Sequence, residues 1–228
     1  GLGGGIILVP VLVLMLGVPE KTAFATSLLG VIATSVTAST SHLRYRYTNI
    51  PLAMWLESAT VLGALAGSIL FQLLNPRWLA LMFALLQGYV AWTLVRRPAE
   101  LSTRETSVDD TNGASACYVD HATGKTVCYT PTRMAVGWGF SLIAGVLSAL
   151  LGVGGGLIKV PVMNLLMNVP LKPAAATSSF MIGITGSVSA AIYLLRGYVD
   201  PTLAAPSVLG VMAGAHLGAF LSLSLIHI

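Results

Sequence analysis

Apolar residues fill most of this chain in long runs that are separated by short polar stretches. Six runs carry almost no Lys, Arg, Asp or Glu, and each is close to the ~17–25 residues that a helix needs to cross a bilayer. They are residues 22–43, 52–74, 78–95, 134–151, 173–195 and 203–226. Because lipid offers no partners to open backbone groups, each run is predicted to be a transmembrane helix.

Two further apolar segments, 6–16 and 157–167, are too short to cross a bilayer comfortably. Each follows three consecutive glycines and contains one proline, Pro10 or Pro161. A helix of this length rises only about 16 Å, roughly half of the hydrocarbon core. We therefore predict two half-helices or re-entrant elements that lie beside full spans.

The long polar stretch, residues 96–133, holds ten of the chain's twenty Lys, Arg, Asp and Glu residues. Within it, residues 118–129 have strand-forming side chains on both sides of Thr123-Gly124, which predicts a small solvent-exposed β-hairpin. Cys117 and Cys128 flank this hairpin and can face each other. The geometry allows a disulfide between them, whereas a cytoplasmic position would favour free thiols.

A shift of 151 residues aligns the chain with itself. Residues 1–27 and 152–178 are identical at 16 of 27 positions, and the matches include Gly, Pro, Lys, Thr and Ser positions that apolar bias does not explain. The register continues further along the chain, for example at Thr34 and Thr185. Such self-similarity indicates a duplicated structural unit.

The duplication predicts an all-α, polytopic transmembrane protein of two homologous repeats with glycine-broken half-helices. Residues 1–95 form the first repeat, 96–133 the polar loop with its hairpin, and 134–228 the second repeat. The second repeat has a span before its glycines that the first lacks, and the first has a last span that the second lacks. We therefore expect the first repeat to be truncated at its N-terminus and the second at its C-terminus.

Composition agrees with a membrane location and narrows the class of protein. Of 228 residues, 55% are hydrophobic and only 9% are charged, whereas soluble domains carry about 25% charged residues. The mean hydropathy is +0.84. The net charge of +4 comes from Lys and Arg residues at span ends, without a basic stripe of interleaved aromatics, so we expect no nucleic-acid partner.

The distribution of positive charge predicts an orientation. With loop 96–133 inside, eight Lys and Arg residues lie inside and three outside, as expected for a cytoplasmic loop of a multi-pass protein in the cell (inner or plasma) membrane. The tally is the same whether the glycine-linked segments cross once or twice. Charge therefore leaves open whether the repeats are parallel or inverted.

The two glycine turns, residues 3–5 and 154–156, are the first candidates for substrate binding. Glycine frees the backbone to adopt positive φ and lets a ligand or a neighbouring helix approach closely. A helix that begins directly after such a turn presents unpaired N–H groups and a partial positive charge, which suits an anion. The alternative is that the glycines only permit tight helix packing.

Hydroxyl side chains follow each half-helix in the repeated sequence Ala-Thr-Ser. Such hydroxyls can donate to an oxyanion without burying a charge, although back-bonding to the helix's own carbonyls is the alternative. We predict that glycines and hydroxyls from both repeats surround one polar cavity between them. The predicted substrate-binding residues are Gly4, Gly5, Thr26, Ser27, Gly155, Gly156, Thr177 and Ser178.

Two charged residues lie within apolar segments. Lys159 is the only cation inside a short segment, and a buried lysine there suggests a functional role, with snorkelling to the interface as the alternative. Its repeat equivalent, Leu8, is apolar, so a symmetric role is not indicated. Glu57 follows Pro51 by six residues, which favours an exposed interfacial position over proton coupling.

At these residues the chain resembles the TauE/SafE sulfite exporter family of bacterial and archaeal membrane proteins. The resemblance covers nearly the whole chain, except the central loop and the tail, and implies an eight-helix-type permease for small sulfur-containing anions or organic acids. It also implies that this chain lacks the first and last spans. The matching motifs are Gly1-x-Gly-Gly-Gly with Val9-Pro10, Gly152-x-Gly-Gly-Gly with Val160-Pro161, the Ala-Thr-Ser after each, and the pairs Gly63/Gly67 and Gly214/Gly218.

The predicted function is a permease that exports or imports small anions, sulfite or related sulfur-containing or organic anions, by alternating access between two repeats. The expected partners are a small anionic substrate and the lipid bilayer, and the small-residue pairs leave a homodimer open. The spans contain no His/Glu pair, Ser–His arrangement or paired carboxylates, so we expect no catalytic residue, metal site or cofactor. A non-transporting membrane scaffold or assembly factor is the alternative.

Overall fold

The structure, a computed structural model, describes residues 4–44, 47–96, 114–119 and 126–225, which are mostly helical. The short helices α1 and α6 each continue into a π-helical segment, Val11–Met15 and Val162–Leu166 respectively. The helices are α1 (Gly5–Pro10), α2 (Glu20–Arg44), α3 (Ile50–Leu73), α4 (Pro76–Arg96), α5 (Met134–Leu151), α6 (Gly156–Pro161), α7 (Leu171–Leu195) and α8 (Pro201–Leu225).

Four helices are long and apolar enough to cross a membrane, by length and composition of the described residues. They are Glu20–Thr40 within α2, α3, α5 and α7. The apolar runs of the sequence coincide with these helices, and the runs 78–95 and 203–226 correspond to α4 and α8. The chain is therefore an integral membrane protein whose described residues are organised mainly as α-helices.

Helices α2 and α7 run antiparallel and pack closely along their middle parts. Ser35 Oγ in α2 donates to the Ser179 carbonyl oxygen in α7. A Cβ at Gly186 would lie 3.0 Å from the side chain of Ile32, so the residue numbers fall on one helix as they rise on the other.

Helices α3 and α5 run parallel and approach each other through glycine. A Cβ at Gly63 would collide with the backbone of Leu142, and a Cβ at Gly67 would lie 2.6 Å from the Val146 carbonyl oxygen. On the facing helix, a Cβ at Gly145 would collide with the Thr60 carbonyl oxygen. The Gly63/Gly67 pair therefore serves close packing within the fold.

A short hairpin covers one end of the helices. Strands β1 (Ala116–Val119) and β2 (Thr126–Tyr129) pair antiparallel, with Cys117 opposite Cys128, in the segment where the sequence predicts a hairpin. The two cysteines, whose redox state the sequence leaves open, form a disulfide. We call this the hairpin end, and the other side of the helices the opposite end.

Hydrogen bonds show which helix ends meet at each side. At the hairpin end, Asn49 before α3 donates to Tyr129 Oη at 3.3 Å, and Thr132 N before α5 donates to the Met167 carbonyl oxygen at 3.0 Å. At the opposite end, Lys21 Nζ near the start of α2 donates to the Gln72 carbonyl oxygen of α3 at 3.2 Å. Helices α3, α5 and α7 therefore all begin at the hairpin end, and α6 with its π segment returns to that end.

Candidate functional site

Each glycine turn adopts a backbone conformation that favours glycine. In the second turn, α5 ends at Gly152 with φ +65°, and φ is +84° at Gly154 and +71° at Gly155, directly before α6 begins. In the described part of the first turn, Gly4 has φ +63° directly before α1 begins. An L-residue is strained in this left-handed region, so each short helix begins where glycine is needed.

The two glycine turns meet at the crossing of α2 and α7. A Cβ at Gly5 would collide with the Gly152 carbonyl oxygen and lie 3.0 Å from Val31 in α2. A Cβ at Gly154 would lie 2.8 Å from both Val31 and Ile182, the latter in α7. Backbone from the beginning and from the middle of the chain is therefore in direct contact here, without side chains between.

Ser27 joins α2 to the second glycine turn. Its Oγ lies within donating distance of two carbonyl oxygens, Phe24 at 2.8 Å and Gly152 at 3.0 Å. Ser27 thus contacts both the second glycine turn and a carbonyl oxygen of its own helix.

Thr177 and Ser178 lie on the other side of the crossing, because α7 is antiparallel to α2. Thr177 Oγ1 accepts a hydrogen bond from the Asn49 backbone N–H at 3.0 Å, at the start of α3. The described contacts thus bring Gly5, Ser27 and the second glycine turn together, whereas they link Thr177 to the hairpin end.

Several buried hydroxyls near these elements have no hydrogen-bond partner among the described residues. They include Thr26 Oγ1 and Ser178 Oγ, both predicted site residues, and Ser148 Oγ. Ser148, one turn before Gly152, lies beside Gly155, where a Cβ would come within 3.4 Å of the Ser148 Cβ. Leaving a buried polar group unpaired costs about 1–3 kcal/mol.

Ser148 was not among the residues predicted from the sequence, although its position offered a usable signal. It is one of two serines in the apolar run 134–151 and stands one helical turn before the second glycine turn. A search for hydroxyls on both sides of the glycines, rather than only after them, would have identified it.

A buried cluster of Lys159, Glu57 and Thr185 joins three helices. Lys159 Nζ in α6 lies 3.6 Å from Glu57 Oε2 in α3 and donates to Thr185 Oγ1 in α7 at 3.3 Å. Thr185 in turn donates to Glu57 Oε1 at 2.6 Å. Lys159 is 2% exposed and Glu57 5% exposed, so both charges are removed from solvent.

This cluster corrects the predicted position of Glu57 and decides between the two alternatives for Lys159. The exposed interfacial position that the sequence favours for Glu57 is wrong, because Lys159 supplies the counter-charge that a buried carboxylate needs. Snorkelling of Lys159 is likewise excluded by its burial. The signal in the sequence was that Glu57 is the sole charge in the run 52–74, but its partner is 102 residues further along the chain.

A surface cleft of about 650 Å³ opens at the opposite end. It lies between the segment that joins α1 to α2 and the segment that joins α7 to α8, and Thr22, Tyr198 and Asp200 are among its lining residues. The cleft therefore lies at the end of the π-helical segment Val11–Met15, which follows α1.

Comparisons with known proteins agree on one family. A family model described as "Sulfite exporter TauE/SafE" matches residues 1–225. The chain is 29% identical over 230 residues to "Probable membrane transporter protein YunE" of Bacillus subtilis (strain 168), covering 96% of this chain and 81% of that protein. It is 26% identical over 229 residues to a "Probable membrane transporter protein" of Xylella fastidiosa (strain 9a5c), covering 97% and 78%.

A shorter match reaches a plant protein of the same family. Over 59 residues the chain is 46% identical to "Sulfite exporter TauE/SafE family protein 1" of Arabidopsis thaliana, which covers 25% of this chain and 12% of that protein. No solved structure matches the chain.

Proposed function

The chain belongs to the TauE/SafE sulfite exporter family, and we propose that it is a permease that moves small anions across the cell membrane. The proposed substrates are sulfite or related sulfur-containing or organic anions, exported or imported by alternating access between two repeats. The observation that carries this proposal is the contact of the two glycine turns at the crossing of α2 and α7.

The helix bounds support a two-repeat mechanism. The bounds of α1, its π segment and α2 recur in α6, its π segment and α7 at the same 151-residue shift that aligns the sequence. Since α2 and α7 are antiparallel, this supports inverted repeats, with one half-helix directed to each side of the membrane. Rocking of one inverted repeat against the other would expose a site between them to each side in turn.

The chemistry of the glycine turns suits a transported anion. An anion that enters a membrane protein sheds water, and each lost contact needs a replacement donor. Backbone N–H groups after the glycines and nearby hydroxyls offer partial positive charges to the anion. The proposed substrate site therefore keeps the predicted residues Gly4, Gly5, Thr26, Ser27, Gly155, Gly156, Thr177 and Ser178, together with Ser148.

The described contacts suggest a closed conformation. Gly5 lies against the Gly152 carbonyl oxygen, and Ser27 Oγ donates to protein oxygens. Binding an anion would require the turns to separate, so that Ser27 exchanges a carbonyl oxygen for an oxygen of the anion. Separation of these two contacts is the proposed step from the closed to the open conformation.

Flux measurements test the proposal against the scaffold alternative. The protein is reconstituted in proteoliposomes, and movement of sulfite, thiosulfate, sulfate and methanesulfonate is compared with that in protein-free vesicles. We expect protein-dependent, saturable flux of at least one sulfur oxyanion. A folded, correctly inserted protein that moves none of them would support a scaffold or assembly factor instead.

A further inference from the structure

We propose that Lys159, Glu57 and Thr185 form a proton-coupling site, at which a transported anion replaces Glu57 as the counter-charge of Lys159 when Glu57 takes up a proton. This inference rests on the proposed function and adds to it the coupling ion and the residues that carry it.

The cluster is isolated from other charges. Helix α3 carries no charge except Glu57, α5 carries none, and α6 with its π segment carries only Lys159. Helix α7 carries Lys172 in its first turn, about 20 Å of helical rise from Thr185. Helix α2, which packs along α7, has its titratable groups near its two ends: Glu20, Lys21, His42 and Arg44.

The carboxylate has room for one more contact. Glu57 Oε1 accepts from Thr185, whereas Oε2 faces Lys159 at 3.6 Å and has no hydrogen bond among the described residues. Oε2 is therefore the oxygen on which a proton can be placed without breaking an existing hydrogen bond. The ammonium of Lys159 also has donors to spare, because it makes one described hydrogen bond, to Thr185.

The repeat provides an internal comparison that argues against a purely structural role. The 151-residue shift pairs Lys159 with Leu8, Glu57 with Val208 and Thr185 with Thr34. Thr34 lies within hydrogen-bond distance only of carbonyl oxygens of its own helix, Gly30 at 3.2 Å and Val31 at 2.9 Å, in the described contacts. The equivalent positions Leu8 and Val208 are thus apolar, whereas Glu57 of the first repeat and Lys159 of the second keep a costly buried ion pair.

Electroneutrality links the proton to the anion. In the empty site, the charges of Lys159 and Glu57 cancel, and binding a lone monoanion would leave an uncompensated negative charge in a low-dielectric interior. If a proton from water on the open side binds Glu57 Oε2, the site holds a cation, an anion and a neutral carboxyl group. When the anion leaves on the other side, the proton returns to water there, and one proton has moved with one monoanion.

The test uses methanesulfonate, the anion of a strong acid, so that any proton that moves is carried by the protein. The purified protein is mixed with methanesulfonate in weakly buffered detergent, and proton uptake is read with a pH-sensitive dye. We expect about one proton per bound anion, and an affinity that falls about tenfold per pH unit once Glu57 is ionised in the empty protein. In proteoliposomes, an acidic exterior should drive accumulation of methanesulfonate inside.

Variants separate coupling from folding. Glu57→Gln mimics the protonated state, so it should bind methanesulfonate without proton uptake, lose the pH dependence, and exchange the anion without accumulating it. The double variant Glu57→Gln/Lys159→Gln removes both charges and should fold but lose binding by at least tenfold. Thr185→Val removes the hydroxyl that donates to Glu57 Oε1, so it should change the number of protons taken up per bound anion. Thr34→Val at the equivalent position should leave that number at the wild-type value.

The outcomes distinguish this inference from the function on which it rests. If wild-type protein moves methanesulfonate or sulfite without proton uptake, or if Glu57→Gln keeps the wild-type pH dependence, the coupling site is wrong and the permease stands. If wild-type protein moves none of sulfite, thiosulfate, sulfate and methanesulfonate, the proposed function fails and the inference falls with it.

Discussion

Replacing Thr26 with valine should stabilise the protein and at the same time weaken transport. Thr26 is fully buried, and its Oγ1 has no hydrogen-bond partner among the described residues. If this hydroxyl is kept as a donor for the anion, the empty protein bears the cost of its burial. Valine has nearly the same shape and removes that cost.

The size of the expected change in stability follows from the hydrogen bonds of the threonine hydroxyls. An unpaired buried hydroxyl costs about 1–3 kcal/mol, so Thr26→Val should gain about 1 kcal/mol in the free energy of unfolding. Thr60 is the matched control, because it is equally buried but donates from Oγ1 to the Leu56 carbonyl oxygen at 2.8 Å. Thr60→Val should lose about 1 kcal/mol, so the two variants should differ by about 2 kcal/mol, or roughly 4–8 °C in Tm.

Thermal and denaturant unfolding in detergent measures the stability, and anion flux in proteoliposomes measures the function of the same preparations. The reasoning is refuted if Thr26→Val loses stability as Thr60→Val does, because Thr26 then has a partner in the folded protein. It is also refuted if Thr26→Val gains stability but transports at the wild-type rate, because the unpaired hydroxyl then has no role in binding.

Three further predictions concern the ion pair, the hairpin and pH. Lys159→Met alone should cost about 3–5 kcal/mol because it leaves Glu57 buried without a counter-charge, whereas Glu57→Gln/Lys159→Gln should fold within about 1–2 kcal/mol of wild type by denaturant unfolding. The charge distribution predicts that the hairpin faces the cytoplasm, whereas its Cys117–Cys128 disulfide is typical of an oxidising compartment. If the charge prediction holds, an impermeant maleimide added to intact cells after an impermeant reductant should label neither cysteine, and labelling would place the hairpin outside the cell. Burial raises the pKa of Tyr129 to about 12, so its contribution to stability should be complete below about pH 10 and lost as pH rises towards 12; the same decline in Tyr129→Phe would show that another group is responsible.

The helices themselves could be predicted from the sequence because each signal is local. Apolar runs without charge set the spans, and Gly3 to Gly5 with Gly154 to Gly156 mark where the short helices begin, since glycine is favoured at the positive φ found at Gly4 and Gly155. The 151-residue shift aligned elements whose bounds also recur in the structure.

The burial of Glu57 could not be predicted in the same way because it depends on a distant partner. Position six residues after a proline suggests a helix end at the interface, and only the packing of α6 against α3 and α7 shows that Lys159 neutralises the carboxylate. The antiparallel crossing of α2 and α7 could also not be predicted from the sequence, because the count of Lys and Arg residues on each side is the same for parallel and for inverted repeats.

The central claim is that an anion crosses the membrane between the two glycine turns, and one paired measurement tests it most directly. Gly155→Val places a branched side chain at a φ of +71°, with its Cβ 3.0 Å from the Ala144 carbonyl oxygen. Gly139→Val is the matched control, because a Cβ there meets no described atom within 4 Å. Sulfite and methanesulfonate flux is measured in proteoliposomes at equal amounts of folded, inserted protein. The account predicts that Gly155→Val abolishes flux while Gly139→Val keeps it, and wild-type flux in folded Gly155→Val would show that the glycines serve packing alone.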